Sequence, residues 1–566
     1  MHFVEALSTN ICEVSIIKLQ DIVAYQIYPR SFQDSNGDGI GDIPGITRRL
    51  DYLKELGINL LWITPMYRSP GCDNGYDISD YYAIDPVFGT MNDFDRLVSQ
   101  AKARGIGIMM DMVLNHTSSQ HHWFQEALKG KDNPYHDYYI WKTAPKGQLP
   151  NNWQSKFGGS VWEYVPDLDE YYLHLYGRAM PDLNWENPKV RTALFQVMRF
   201  WADKGIAGFR LDVINNLSKD QRFPNDTFAT PQDDGRNFYT DGPRIHEFLR
   251  EINREVLAPY GLISVGELSS TTIENTNLYT NPARQELSMG FTFHHMKVDY
   301  PNGQKWALGM NDLPTLKRII SNWQVGTMNG GGHLALFWTN HDQPRALARF
   351  MNDDVYRDQS AQALAIIEFG LRGVPFVYQG EEIAMKDAYF TSIDRYQDAE
   401  SRNAYAGLLQ DGKSAAEALA ILQQKSRENA RLPMQWDDTA NHGFSSHTPW
   451  LIPEHDDQHT VARASACPAS TLAFYQELIH LRHSNDTLKS GRFELLDPAD
   501  GEVFAYRRES DSEILLVVAN FTQQVLSRRL PKGTYHTIIA NYKKTSLTGD
   551  VLTLQPYEAL ILRTSK

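Results

Sequence analysis

Residues 208–214 read GFRLDVI, a short apolar run with charged residues near its end, and the amphipathic helix pattern VRTALFQVMRFWADKG (190–205) precedes it. The same order of an amphipathic helix pattern and a short apolar run recurs elsewhere in the chain. For example, DFDRLVSQAKARG (93–105) precedes another short run. Alternating helices and strands predict a parallel sheet, and eight such runs favour an α/β fold with a closed (β/α)8 TIM barrel over a doubly wound open sheet. The other seven runs are VAYQIY (23–28), NLLWIT (59–64), GIMMDMVL (107–114), LISVGE (262–267), MGFTFH (289–294), LALFWTN (334–340) and VPFVYQ (374–379).

Two intervals depart from this alternation and predict additional domains. Residues 116–181, between the third and fourth runs, are rich in Trp, Tyr, Asn and Gly and predict an inserted subdomain. After about residue 487 the runs VFAYRRES, EILLVVANFT and EALILR follow one another without long helices, which predicts a C-terminal antiparallel β domain. The expected division is therefore an N-terminal extension (1–20), a barrel (21–115 and 182–486), the inserted subdomain (116–181) and the β domain (487–566).

Composition excludes several classes of function. Lys and Arg number 55 and Asp and Glu 69, a formal charge of −14, which argues against a general nucleic-acid binder but leaves room for a local basic pocket. There is no signal-peptide pattern, and no apolar run approaches the ~20 residues of a membrane helix. The three cysteines, Cys12, Cys72 and Cys467, are too few and too scattered for a disulfide framework. We expect a cytoplasmic protein without membrane partners, a monomer or weak homo-oligomer.

Carboxylates at the ends of the predicted strands indicate the chemistry. In a parallel barrel the active site forms at the C-terminal ends of the strands. Arg210 and Asp212 lie two residues apart on one strand and so point to the same side, and Glu267 and Asp342 end or follow other strands. An ionised carboxylate beside a protonated one is the arrangement of a glycosidase, with Asp212 as nucleophile and Glu267 as general acid. A retaining enzyme would place these two carboxyl groups about 5–5.5 Å apart.

Four segments resemble the signature regions of the α-amylase superfamily, glycoside hydrolase family 13. They are DMVLNH (111–116), GFRLDVIN (208–215), VGEL (265–268) and FWTNHD (337–342), in the family's order. The resemblance implies a retaining mechanism in which Asp212 is the nucleophile, Glu267 the acid/base and Asp342 the transition-state stabiliser. It also implies that the glucose at the cleaved end is held by Tyr76, Asp77, His116, Arg210 and His341.

Other segments narrow the resemblance to the oligo-1,6-glucosidase group: YQIYPRSFQD (25–34), DLNWENP (182–188), YQGEEIAM (378–385) and NARLPMQW (429–436). Members of that group usually have FEHM in the sixth strand, where this chain has FHHMK (293–297). Histidine in place of the glutamate removes a negative charge, and Lys297 adds a positive one. Both differences suit a site that binds a phosphate dianion. Similarity to the phospho-α-glucosidase branch of the group implies hydrolysis of a phosphorylated disaccharide, α,α-trehalose 6-phosphate, to glucose and glucose 6-phosphate.

Five basic residues are candidates for binding the second sugar and its phosphate. The candidates are Lys297, His295, Lys305, Arg345 and Arg431, although Lys297 alone could be a solvated lysine at the rim. The main alternative is an oligo-1,6-glucosidase or α-glucosidase acting on short isomalto-oligosaccharides, and the same carboxylates also support isomerase or transglycosidase chemistry. A non-catalytic, membrane-anchored relative would have lost the carboxylates that this chain retains.

The loop DSNGDGIGD (34–42) predicts a metal site apart from the chemistry. Its acidic and amide side chains alternate with small residues, as in calcium loops, and Gly39 provides a sharp turn. The expected cofactor is a structural Ca²⁺, with Mg²⁺ possible and no organic cofactor. The alternative is a loop of Asx turns without metal. The predicted ligands are Asp34, Asn36, Asp38, the Ile40 carbonyl and Asp42.

Overall fold

A closed barrel of eight parallel strands forms the centre of the protein in the computed structural model, which describes residues 18–230, 233–454 and 458–564. Each strand pairs in parallel with the next, and the eighth pairs with the first. The predicted TIM barrel is therefore confirmed. The strands are β1 (Ala24–Ile27), β2 (Leu60–Ile63), β3 (Gly107–Val113), β4 (Gly208–Asp212), β5 (Ile263–Glu267), β6 (Met289–Phe291), β7 (Leu334–Leu336) and β8 (Val374–Tyr378).

Strands β6 and β7 are shorter than their apolar runs suggested, with three residues each. Beyond Phe291 the chain leaves the barrel for a one-turn 3-10 helix, His295–Lys297. Beyond Leu336 the side chains of Phe337 and Trp338 stay buried without strand pairing. Aromatic residues favour strands but also fill a buried loop, so the sequence overestimated both lengths.

Helices surround the barrel, and local sequence explains where the longer ones begin. Thr90 and Asp93 form a capping box at the start of Met91–Ala103, and Asn187 caps Pro188–Asp203. These are the two helices predicted at 93–105 and 190–205. The remaining α-helices are Ile43–Arg48, Leu50–Leu56, His122–Ala127, Ile245–Ile252, Ala258–Tyr260, Ile273–Thr280, Leu313–Gly330, Ala346–Phe350, Arg357–Gly370, Ala399–Gln410, Ala415–Lys425, Val461–Ala466, Thr471–Ser484 and Asp486–Ser490.

The interval between β3 and β4 contains a three-stranded antiparallel sheet, formed by Trp141–Lys142, Trp162–Val165 and Glu170–Leu173. Its apolar side packs on a small cluster that includes Trp153 and Tyr239, so a later loop completes the core of the insertion. The predicted limits of this subdomain, 116–181, remain a prediction.

The C-terminal part contains antiparallel sheets, as predicted. Lys317 ties it to the barrel, because its ammonium group donates to the carbonyls of Asp497, Asp500 and Val503. Most of the predicted N-terminal extension lies outside the described residues. Within the described ranges, no helix is long and apolar enough to cross a membrane. The C-terminal strands are Arg492–Leu496, Val503–Glu509, Ile514–Asn520, Leu526–Arg529, Tyr535–Ala540, Ser546–Thr548, Val551–Leu554 and Ala559–Thr564.

Candidate active site

Arg210 connects the acidic residues at the C-terminal ends of β3, β4 and β5. Its Nη1 donates to Asp111 Oδ1 at 2.8 Å and to Asp212 Oδ1 at 2.7 Å, and its Nη2 donates to Glu267 Oε2 at 2.6 Å. The Arg210 side chain is only 1% exposed. Because a guanidinium is planar and rigid, one buried arginine fixes the relative orientation of Asp212 and Glu267.

Burial and charge act in opposite directions on Asp212. Desolvation raises its pKa well above the ordinary value, with Glu267 and Asp111 adding to the rise, whereas the Arg210 guanidinium lowers it. From the sequence we expected Asp212 to be the ionised carboxylate of the pair. The net direction in the structure is upward, since several acids share one guanidinium in a dry site.

Asp342 is held as an anion by three neighbours. Its Oδ1 accepts from Arg431 at 3.0 Å and from Arg427 at 3.1 Å, and its Oδ2 lies 3.2 Å from His341 Nε2. Burial alone would raise the pKa of Asp342, but His341 and the guanidinium groups of Arg427 and Arg431 outweigh it and hold the pKa far below its usual range. A carboxylate fixed in this state can stabilise positive charge that develops on a sugar ring.

A chain of hydrogen bonds connects His341 to the acidic cluster through Tyr76. With the Gln26 amide donating to Nδ1 at 2.7 Å, the imidazole proton lies on Nε2, which is 2.6 Å from the Tyr76 hydroxyl. That hydroxyl donates to Asp111 at 2.9 Å. Burial lowers the pKa of His341 to about 3, so the ring is neutral. His341 is 0% exposed and stacks behind Tyr76, so it positions the tyrosine that faces the pocket.

The three carboxylates open into an inner pocket of about 390 Å³. His116 is 1% exposed, and its Nε2 has no hydrogen-bond partner among the described residues. Burial lowers the pKa of His116 to about 4, which leaves a neutral ring whose Nε2 suits a sugar hydroxyl. The pocket is lined by Asp73, Tyr76, His116, Phe157, Tyr176, Met180, Asp212, Val213, Glu267, Asp342 and Arg427.

The resemblance implied that Asp77 holds the glucose, but the structure does not place Asp77 at this pocket. Asp77 is 0% exposed, and its carboxylate accepts hydrogen bonds from the Ser69 hydroxyl and from the backbone amides of Cys72 and Asp73. It therefore fixes the loop that precedes Tyr76. The acid of this loop that does line the pocket is Asp73, which pairs with Arg427 at 2.8 Å. Sequence reasoning missed both; the acid that precedes Asn-Gly, a strong turn signal, was the available hint for Asp73.

A second, outer cleft of about 1650 Å³ adjoins the inner pocket and shares Glu267, Asp342 and Val213 with it. Lys297, Lys156 and Arg236 line this cleft, and we call them the basic cluster. Lys156 and Arg236 share one acid, Asp234, at 3.5 and 2.6 Å. Desolvation and the charge of Arg236 lower the pKa of Lys156 to about 8 and also lower that of Lys297.

Three other residues predicted to reach the second sugar lie outside this cleft. His295 Nε2 is 2.9 Å from the Phe337 carbonyl, and the half-buried ring lines a separate apolar cavity. Arg345 is 2% exposed and donates to main-chain carbonyls of Gln379 and Ala430. Arg431, 1% exposed, lies behind Asp342. Each of the three contacts protein groups, and none of them lines the outer cleft.

Lys305 does line the outer cleft, as predicted, but it pairs with Glu400 at 2.6 Å. Lys297 has no carboxylate within ion-pair distance among the described residues. Sequence reasoning missed Lys156 and Arg236, which come from the insertion and from the segment after β4. Their only signal was a positive charge in otherwise polar loops.

In the predicted metal loop, the side-chain oxygens accept hydrogen bonds from the loop's own backbone. Asn36 accepts from the amide of Asp38, and Asp38 from that of Ile40, while Asp34 accepts from the amides of Asn36 and Gly37. Asp42 caps the following helix at Gly45. No three His, Cys, Asp or Glu side chains in the described ranges are grouped as a metal site, so a cation here would depend on Asn36 and the Ile40 carbonyl. Calcium stays a prediction.

Comparison with known proteins identifies the family. Residues 26–491 match the α-amylase catalytic domain, and residues 503–561 match the C-terminal domain of the α-amylase SusG. The chain therefore belongs to the α-amylase family of glycoside hydrolases.

Similar proteins within that family include trehalose-6-phosphate hydrolases and oligo-1,6-glucosidases. The trehalose-6-phosphate hydrolase of Bacillus subtilis is 48% identical, over 96% of this chain and 98% of that protein. The oligo-1,6-glucosidase of Heyndrickxia coagulans is also 48% identical, over 95% and 98%. The crystal structure of Bacillus licheniformis trehalose-6-phosphate hydrolase has a TM-score of 0.93 and 47% identity, covering 97% of this chain and 100% of that one.

Proposed function

We propose that the enzyme hydrolyses α,α-trehalose 6-phosphate to glucose and glucose 6-phosphate. The observation that carries this proposal is the basic cluster in the outer cleft. Lys156, Arg236 and Lys297 bring three positive charges against the single carboxylate of Asp234. A phosphate dianion would complete this charge balance, and a neutral sugar would not.

The charges of the two compartments also decide which glucose lies where. Among the described residues, the inner pocket is lined by the carboxyl groups of Asp73, Asp212, Glu267 and Asp342 and by one guanidinium, that of Arg427. Arg210 and Arg431 pair with these acids but do not line the pocket, and the acids still outnumber the guanidinium groups. Such an acidic site repels a phosphate. The unphosphorylated glucose therefore occupies the inner pocket, and the phosphorylated glucose is the leaving group in the outer cleft.

Cleavage proceeds in two displacements. Asp212 attacks the anomeric carbon of the inner glucose while Glu267 gives its proton to the bridging oxygen, and glucose 6-phosphate departs. Asp342 stabilises the positive charge on the ring during this step. Glu267, now a carboxylate, then takes a proton from a water molecule while the water oxygen attacks the anomeric carbon. The bond to Asp212 breaks, and glucose leaves with net retention of configuration.

The rival function is that of an α-glucosidase acting on isomalto-oligosaccharides. Equal 48% identity to both kinds of relative leaves overall similarity unable to choose between them. Isomaltose carries no charge and would gain nothing from the basic cluster. The cluster therefore favours the phosphorylated substrate.

Substitution of Lys297 tests the proposal, with Lys305 as a matched control from the same cleft. Lys297→Met should lower kcat/KM for trehalose 6-phosphate about 30-fold, since a charge-assisted hydrogen bond contributes about 2 kcal/mol. Trehalose and isomaltose should be affected little. Lys305→Met should cost less on the phosphorylated substrate, because Glu400 already neutralises Lys305. Equal losses on neutral and phosphorylated sugars with Lys297→Met would refute the proposal.

We also propose a structural Ca²⁺ in the loop 34–42. Support comes from the sequence of oxygen-bearing side chains in Asp34, Asn36, Asp38 and Asp42, which suits the preference of Ca²⁺ for oxygen ligands. Such an ion would stabilise the loop and take no part in the chemistry.

We propose a cytoplasmic site of action as well. A phosphorylated sugar is charged and does not cross a lipid bilayer unaided, so the enzyme must share a compartment with its substrate. The scattered cysteines are compatible with a reducing compartment.

A further inference from the structure

Val213, the residue after the proposed nucleophile, has a strained backbone. Its φ is 36° and its ψ 40°, in the left-handed region that a β-branched residue rarely adopts. It is 6% exposed and is the single residue between the end of β4 at Asp212 and the 3-10 turn Ile214–Asn216. Strain of this kind persists only where the surrounding structure holds the chain on both sides.

Both sides of Val213 are held. Strand β4 pairs with β3 up to Asp212 and with β5 up to Leu211. On the other side, Asn215 donates from its side-chain amide to Asp241 Oδ1 at 3.0 Å and to the Ser269 carbonyl at 2.9 Å. The turn closes with the Asn216 amide donating to the Val213 carbonyl at 2.9 Å. The chain therefore cannot relax at Val213 without moving the peptide that joins it to Asp212.

That peptide contacts the proposed acid/base directly. The Val213 N–H donates to Glu267 Oε2 at 3.1 Å, and Arg210 donates to the same oxygen at 2.6 Å. An oxygen that accepts two N–H bonds has its lone pairs occupied and is not the oxygen that carries the acid proton. The proton of Glu267 then lies on Oε1, the oxygen left for the bridging oxygen of the substrate.

We propose that the left-handed turn at Val213 is a positioning device that fixes Oε2 of Glu267 and thereby places the acid proton on Oε1. Val213 acts through its backbone and is a positioning residue. The inference rests on the proposed role of Glu267 as acid/base. It assigns to the residue after the nucleophile a function in proton transfer, separate from any contact its side chain makes with the sugar.

The test compares Val213→Gly with Val213→Ala. Both substitutions remove the two γ-methyl groups of valine. Glycine also frees φ, whereas alanine keeps its Cβ and so the backbone constraint of an L-residue. The substrates are two neutral aryl glucosides that differ in need of an acid: 4-methoxyphenyl α-glucoside, a poor leaving group, and 4-nitrophenyl α-glucoside, a good one. The expected result is that Val213→Gly loses about 10-fold to 100-fold in kcat/KM on the methoxyphenyl substrate and less than about threefold on the nitrophenyl substrate.

Val213→Ala should keep the ratio of the two substrates near the wild-type value, and the melting temperature of Val213→Gly should not fall below that of Val213→Ala, since glycine relieves the strain. Equal ratios in the two variants would overturn the inference. Glu267→Gln serves as the reference. If kcat/KM of Glu267→Gln fell equally on the two substrates, the proposed acid role of Glu267 would be refuted, and the inference with it. If Glu267→Gln discriminated between the substrates and Val213→Gly did not, only the role of Val213 would be refuted.

Discussion

Raising the pH from 7 to 9 should weaken binding of trehalose 6-phosphate through Lys156. Burial and the neighbouring Arg236 lower the pKa of Lys156 to about 8, within the range of an enzyme assay. With that pKa, roughly 90% of Lys156 is protonated at pH 7 and roughly 9% at pH 9. Because only the protonated amine attracts a phosphate, affinity should be nearly constant below about pH 7, fall about twofold by pH 8 and fall about tenfold by pH 9.

The assay is the ratio of kcat/KM for trehalose 6-phosphate to that for trehalose, which has the same bridging oxygen but no phosphate, across this pH range. Titration of the shared catalytic groups cancels in the ratio, so its decline reports the phosphate site. Lys156→Arg keeps its charge at pH 9 and should flatten the profile. A flat ratio in the wild type, or an equal decline in Lys156→Arg, would refute the placement of the phosphate beside Lys156.

Three further outcomes are expected. Arg427→Met removes the ion-pair partner of the buried Asp73 and one partner each of Asp342 and Asp398, and it should cost about 3–5 kcal/mol of stability in a denaturant titration. Arg178→Met should cost less than about 1 kcal/mol, because its ion pair is exposed. Saturating Ca²⁺, at about 100 times its Kd, should stabilise the fold by about 2.7 kcal/mol in calorimetry and do nothing for Asp38→Ala; no response in the wild type would exclude the calcium site. Proton NMR should show the α-anomer as the first glucose released, and a β-anomer would indicate inversion.

The barrel and the position of its active site could be predicted because they follow from periodicity and topology. Short apolar runs between amphipathic helices imply parallel strands, and a parallel barrel gathers the ends of its strands at one face. Asp212 and Glu267 end their strands and Asp342 lies in the loop that follows β7, so the fold itself brings the three together. Two-residue spacing also placed Arg210 beside Asp212 correctly.

The loop residues could not be predicted in the same way. In Asp73–Asp77 two acids lie four apart in a turn, and only the three-dimensional path shows that one faces the pocket while the other binds backbone amides. The basic cluster has the same difficulty, since Lys156 comes from the insertion and Lys297 from the segment after β6. His295, two residues from Lys297, turns toward Phe337 because the chain between them is helical.

The most direct test of the central claim is kcat/KM of the wild-type enzyme for trehalose 6-phosphate, trehalose and isomaltose, measured side by side. We expect trehalose 6-phosphate to exceed trehalose by at least about 100-fold, the combined effect of several charge-assisted contacts to one phosphate. A preference for isomaltose, or equal values for trehalose with and without the phosphate, would contradict the claim that the outer cleft binds a phosphorylated sugar.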